Sequence, residues 1–183
     1  PPELAALFAE WGKGPLASYL VDISAQIFRV ADPLGGGYLV DQVLDAAAQK
    51  GTGRWTVQAA MDLGVPVPAI SAAVHARALS ARIGLRRAVA QTLPPAPPTV
   101  PAAAGVTPDA LHDALLAAKI TAYGEGLDLI TAASARYGWA IRRDEVARIW
   151  TGGCIIRARL LTEIRDAFRR DPALPHLLLD PVF

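Results

Sequence analysis

Cysteine is almost absent from this sequence. Cys154 stands alone among 183 residues, which excludes an internal disulfide and any zinc site built on cysteines. Histidine is nearly as scarce, and His75, His112 and His176 are too scattered to offer a metal-ligand spacing. A surplus of charge of either sign is also missing. Lys and Arg number 18 against 17 Asp and Glu, so the net charge of +1 gives no strong field to gather nucleic acid or an anionic bilayer. No run resembles a membrane span. The longest uncharged stretch, Ala88 to Pro108, contains Pro94, Pro95, Pro97, Pro98, Pro101 and Pro108, a series that no spanning helix tolerates. Residues 1–30 are punctuated by Glu3, Glu10, Lys13, Asp22 and Arg29, which leaves no signal-peptide segment. These absences describe a cytoplasmic protein without a metal, partnered by neither nucleic acid nor membrane. Methionine occurs only at Met61 and the chain starts Pro1-Pro2, which reads as part of something longer.

What is present is apolar and helical. Hydrophobic residues make up 52% of the chain and charged ones 19%, with a mean hydropathy of +0.29, which predicts a large buried core. Alanine is the commonest residue and β-branched runs are few, so intrinsic propensity favours an all-α fold. A short helix is expected from Glu3 to Trp11, closed by Gly12 and Gly14. A second is expected from Pro15 to Val30, where Leu16, Tyr19, Leu20, Ile23 and Ile27 recur at helical spacing. Tyr38 to Leu44 reads as mostly irregular. Further helices are predicted over 54–63, ended by Gly64 and Pro66, and over 68–92. Residues 94–106 read as a Pro/Ala linker within a single domain spanning 1–183. Thr107-Pro108 is an N-terminal signal for a long helix ending at Gly138, sparsely charged and so expected to be buried on most sides. A last helical stretch covers 143–170, interrupted at Gly152-Gly153, and Leu177 to Phe183 should pack on the body.

One segment has the makings of an anion site. In Lys50-Gly51-Thr52-Gly53-Arg54-Trp55, two glycines let the backbone approach a ligand and a helix begins at once. The exposed N–H groups of that helix start, the Lys50 cation and the Thr52 hydroxyl form a cradle for phosphate or carboxylate. The same composition also suits an ordinary helix-capping turn, and neither a Walker A loop nor a dinucleotide fingerprint is present. A second cation, Arg77, shares a helical stripe with Ile70, Val74 and Ala81. On that stripe it either snorkels to solvent or meets an anion at the protein's edge. His75 and Arg82 fall on other faces, where they are solvated.

The stretch Val43-Leu44-Asp45-Ala46-Ala47-Ala48-Gln49-Lys50-Gly51-Thr52-Gly53-Arg54-Trp55 resembles the signature of the decarboxylating 6-phosphogluconate dehydrogenases. The resemblance continues at Trp11-Gly12-Lys13-Gly14 with Ser18, at Gly64-Val65-Pro66-Val67-Pro68 and at Ala76-Arg77-Ala78-Leu79-Ser80. It resumes at Ala118-Lys119-Ile120 with Tyr123, and at Ile149-Trp150-Thr151-Gly152-Gly153-Cys154-Ile155-Ile156-Arg157. It implies the all-α substrate and dimerisation domain of an enzyme that oxidises 6-phosphogluconate at C3 with NADP or NAD. The 3-keto product then loses CO2 to give ribulose 5-phosphate. By the same resemblance Lys50 and Arg77 bind the substrate's phosphate end, with Thr52 contributing from the same loop, and the enzyme is a homodimer. The resemblance places the cofactor fingerprint and the general base and acid outside this chain, so no catalytic residue is assigned here, and the isolated chain should be inert.

The remaining features have plainer readings. Arg142-Arg143, Arg165, Arg169 and Arg170 read as solvated basic helix ends. Cys154 reads as a small buried side chain, and Trp11, Trp55, Trp139 and Trp150 as core or interface anchors. A non-catalytic assembly module, or the helical domain of a related β-hydroxyacid dehydrogenase, would share the fold without needing the Lys50–Arg77 pair.

Overall fold

The computed structural model describes residues 1–94 and 106–183, so the expected linker lies outside the described residues apart from its two ends. The described residues form eight α-helices and no sheet: α1 (Pro2–Trp11), α2 (Tyr19–Ile27), α3 (Thr52–Leu63), α4 (Pro68–Ser80), α5 (Ile83–Thr92), α6 (Pro108–Tyr137), α7 (Arg143–Trp150) and α8 (Leu160–Arg170). Short 3-10 turns occupy Leu39–Gln42 and Leu177–Leu179. The all-α reading holds.

Three expected helices are shorter than the hydrophobic spacing suggested. α2 starts at Tyr19 because Ser18, in extended conformation, caps it by accepting the Val21 N–H, while Pro15 stays in the preceding turn. The predicted helix over 68–92 is two helices. At the break the Ser80 carbonyl accepts from the Arg86 side chain, while the Arg77 carbonyl keeps its helical bond from the Ala81 N–H and also accepts from the Ser80 hydroxyl. The stretch 143–170 is interrupted over all of 151–159 rather than at two glycines. There Ser18 and Ala158 form an isolated antiparallel bridge, with Tyr19 N–H donating to Arg157 O and Arg159 N–H to Ala17 O.

That bridge joins like to like. α1 and α2 pair around a turn that begins at Trp11, α7 and α8 pair around a turn that begins at Trp150, and the two turns meet at the bridge. α3, α4 and α6 pack on one another beside them.

The main core lies under α8. Leu160, Leu161, Ile164, Ala167 and Phe168 recur at three- and four-residue spacing and are buried with Leu127, Leu174 and Leu177. Phe183 packs against the same cluster, as expected for the apolar end. A smaller cluster, Ala60, Val67 and Leu129, joins α3 and α6. α6 has its Thr107 cap, Pro108 and left-handed Gly138 as the sequence indicates, but its buried residues are confined to 124–129. The expectation of burial on most sides is therefore corrected: Leu111 and Leu115 are exposed, and in that half the end of α1 reaches α6 at His112, against which Trp11 packs.

Several single-residue readings also change. Trp55 and Trp139 are more than half exposed, so neither is a core anchor, whereas Trp150 packs on the main core. Cys154 is only half-buried. Arg142, Arg169 and Arg170 are exposed as expected, whereas Arg143 is a clamp rather than a solvated end. Arg143 lies 4.1 Å over the Phe168 ring and donates to the carbonyls of Pro172 and Leu174, and Arg170 holds Asp180 at 2.7 Å. Arg142 and Arg143 sit at the start of α7, where the helix dipole disfavours cations, and Arg142 is offset by its pair with Asp144 at 2.7 Å.

Candidate functional site

The signature segment runs from the exposed loop before α3 into its first turn. Gly51 has φ +97°, a left-handed conformation that strains any other residue, and from there the chain turns directly into α3. Gly53 is required for a different reason. A Cβ at this position would stand 3.0 Å from Val74 Cγ2, so its hydrogen lets α3 and α4 approach. The two glycines predicted to free the backbone thus do two distinct jobs.

The loop leading into this turn is laced onto α4 and α5. Ala47 N–H donates to Ser80 Oγ at 3.2 Å, Arg77 Nε donates to the Ala48 carbonyl at 2.8 Å, and Arg86 binds both the carboxylate and the carbonyl of Asp45. The hydrogen bond and charge of Arg86 hold the Asp45 carboxyl below its ordinary range.

These elements enclose a cleft of ≈ 340 Å³ between the loop, α4 and α6. Lys50 and Arg77 both line it, although 27 positions separate them in sequence, and Ile70, Val74 and Ala122 form its apolar wall. The stripe predicted for α4 is right for Ile70, Val74 and Arg77, while Ala81 only caps the helix and is exposed. His75 and Arg82 are exposed as expected. Thr52 is exposed between the two lining glycines and is not itself part of the lining; its carbonyl accepts from Thr56 Oγ1. Arg54, in the first turn of α3, lines the cleft as a third cation that the sequence reading passed over. Its position immediately after Gly53 was the available signal. No carboxylate pairs with Lys50, Arg54 or Arg77 among the described residues. A cleft with three cations, an apolar wall and a mobile-ended lysine opposite a planar guanidinium suits a phosphorylated ligand.

A second cavity of ≈ 250 Å³ lies on the other flank of Ala122 and contains Lys119, Tyr123 and Arg157. Burial lowers the Lys119 pKa and pushes the Tyr123 phenol up to about 12. Lys119 donates to the Leu16 carbonyl, Tyr123 to the Ile156 carbonyl, and Arg157 lies 3.7 Å over the Tyr19 ring. These groups tie α6 to the Ser18–Ala158 junction. The described residues contain no strand-turn-helix unit of the kind that grips a dinucleotide pyrophosphate, so no residue here is assigned to a nicotinamide cofactor.

Comparison with known proteins accounts for the whole chain. The model of the family described as 6-phosphogluconate dehydrogenase, C-terminal domain, matches residues 1–183. A decarboxylating 6-phosphogluconate dehydrogenase of Synechocystis is 44% identical over 182 residues, which is 99% of this chain and 38% of that protein. The NADP(+)-dependent decarboxylating enzyme of Bacillus subtilis is 45% identical over 99% of this chain and 39% of its own length. Among solved structures, Plasmodium falciparum 6-phosphogluconate dehydrogenase, studied as apoenzyme and with NADP+ or 6-phosphogluconate, superposes with a TM-score of 0.87. The identity there is 36%, covering 100% of this chain and 39% of that one. The chain thus spans about two fifths of the length of the relatives it matches. With the signature loop, the all-α fold and the full-length match in agreement, the chain belongs to the 6-phosphogluconate dehydrogenase C-terminal domain family.

Proposed function

We propose that this chain is the single helical domain through which a cytoplasmic, homodimeric, decarboxylating 6-phosphogluconate dehydrogenase holds its substrate. The complete enzyme oxidises 6-phosphogluconate with NADP, or NAD, and releases CO2 and ribulose 5-phosphate. The observation that supports this reading is the convergence of Lys50 and Arg77 on one cleft, with no carboxylate paired with either among the described residues. In this role Lys50 is a point charge at the end of a glycine-flanked loop and Arg77 a fixed fork on α4, both directed to the phosphate, with Thr52 adding its hydroxyl from the loop. These groups bind far from the reacting carbon, so they orient the sugar acid rather than transfer its protons. The base, the acid and the cofactor site belong to the rest of the enzyme, and the domain alone forms no NADPH.

The experiment is a comparison of 6-phosphogluconate with gluconate in the whole enzyme. Wild type should prefer the phosphorylated substrate, and Lys50→Ala should lower that preference about tenfold in kcat/KM. An unchanged preference removes Lys50 from the phosphate site. A helical module that only mediates assembly would show no preference to lose.

A further inference from the structure

We propose that Glu125 is a positioning residue for the phosphate cleft, acting by anchoring the helix that carries Arg77. The inference rests on the reading of that cleft as the phosphate site.

α4 begins without a cap of its own. Its N-cap residue is Val67, which offers no side-chain acceptor, and Pro68 lacks an N–H. The next two donors, the N–H groups of Ala69 and Ile70, have no partner within the helix and must be satisfied from elsewhere. Glu125, on α6 and 55 or more positions away, supplies both acceptors. Its Oε1 receives the Ala69 N–H at 2.8 Å and its Oε2 the Ile70 N–H at 2.9 Å. The side chain is almost fully buried, at 6% exposure, and no cation pairs with it among the described residues. A buried carboxylate requires compensation, and here the positive end of the α4 dipole and two aimed N–H groups provide it.

The anchor sits under the cleft. Ala69 and Ile70, whose amides Glu125 receives, line it, and so does Ala122, one turn before Glu125 on α6. Arg77 follows Ala69 by eight positions, about 12 Å along the helix axis. A bidentate anchor at the start of α4 therefore fixes both the tilt and the depth of the element that presents the guanidinium. Small displacements of a positioning group weaken binding steeply when the ligand must meet several fixed partners at once. Glu125 also places its negative charge behind the wall rather than in the cleft, where the helix terminus neutralises it before a phosphate arrives.

The test is steady-state kinetics of the whole enzyme with 6-phosphogluconate and with gluconate, comparing Glu125→Met, Glu125→Gln and Arg77→Ala. Glu125→Met removes both acceptors at nearly constant length. It should raise KM for 6-phosphogluconate about tenfold with kcat changed less than about threefold. Glu125→Gln keeps one acceptor and should raise KM about threefold, a partial rescue. For both variants, kcat/KM for gluconate should move less than about twofold. If Arg77→Ala raises KM for the phosphorylated substrate and neither Glu125 variant does, the anchor does not position the site and the inference is overturned. If Arg77→Ala itself leaves KM unmoved, the phosphate reading of the cleft fails first. Where Glu125→Met does not fold, Glu125→Gln decides alone: no rise in KM, or an equal loss for both substrates, refutes positioning.

Discussion

Arg86 grips Asp45 twice, with Nη2 on the carboxylate and Nη1 3.0 Å from the backbone carbonyl. Asp45 is the acidic residue of the signature, five positions before Lys50, so this clasp sets where the loop bearing Lys50 leaves α5. Its charge is spent on architecture, and no ligand is needed to explain it. Both groups reach solvent, which keeps their mutual attraction modest, so the effect should appear in binding more than in stability. Arg86→Ala is expected to raise KM for 6-phosphogluconate about three- to tenfold with kcat little changed. Asp45→Asn, which leaves the carbonyl contact intact, should show a smaller rise. A melting temperature that falls sharply in both variants while KM stays constant would sink this account.

Arg77 uses one nitrogen structurally and offers the others. Its Nε is committed to the Ala48 carbonyl, and neither Nη has a partner among the described residues. The fork thus reaches the cleft with its plane already fixed, which lowers the entropy lost on meeting a phosphate. Lysine cannot do both jobs with one ammonium. Arg77→Lys should therefore behave nearly as badly as Arg77→Ala, each losing about 1.5–3 kcal/mol of transition-state binding for the phosphorylated substrate. Initial-rate measurements at saturating cofactor check this, and a lysine variant that retains full kcat/KM would show that charge alone suffices.

The fold class and the existence of α3, α4 and α6 were legible because prolines, glycines and apolar spacing agreed at those places. Thr107-Pro108 and Gly138 bracket α6 in sequence as they do in space. The α4–α5 break was not legible, since at it the Arg86 side chain binds the Ser80 carbonyl, a contact that spacing does not show. Nor was the Ser18–Ala158 junction, a contact across 140 positions. In the cleft, Lys50 and Arg77 were visible as cations with helical or glycine context. Arg54 was hidden in an ordinary motif position, and Glu125 counted only as one of the few charges of the long helix α6. Burial and partner choice are tertiary properties, and periodicity does not carry them.

Gly53 gives a test of the α3–α4 contact that is independent of charge. A methyl group there meets Val74 at 3.0 Å and forces the two helices apart or Val74 out of its rotamer. Overpacking of this kind costs about 1–3 kcal/mol. Gly53→Ala should lower stability in urea by that order and weaken 6-phosphogluconate binding, because Val74 lines the cleft. The double variant Gly53→Ala, Val74→Ala should recover part of both losses, as expected for residues in contact. Strictly additive losses would mean that the two side chains do not compete for the same space.

Acid should loosen the C-terminal clamps. The hydrogen bond from Arg142, with its charge, holds the Asp144 carboxyl below its ordinary value against the opposing effect of burial. At Asp180 burial pushes the pKa up, but the Val182 N–H and Arg170 overcome it and the net shift is downward. A carboxyl depressed in the folded state stabilises fully above its unfolded pKa, and that contribution fades as pH falls through the folded value. Stability is therefore expected to be flat above about pH 5 and to decline below about pH 4. Asp180→Asn should flatten part of the decline, measured by urea midpoints across pH. A decline unchanged in that variant would assign acid sensitivity to other carboxyls.

Self-association is expected from the apolar side chains that the described residues leave exposed. Leu34, Val43, Leu44, Met61 and Leu79 are all more than half exposed, and the N-terminal half of α6 adds Leu111 and Leu115. Large contiguous apolar patches are rare on stable monomers and usual at obligate interfaces, where they resemble a core cut in two. In the whole enzyme this surface is expected to be shared between a second copy and the remainder of the same chain. Light scattering should give a dimer at micromolar concentration, and dilution should lower the melting temperature, since association stabilises by mass action. A folded monomer whose melting temperature does not depend on concentration would show that intrachain contacts cover the apolar faces without a partner.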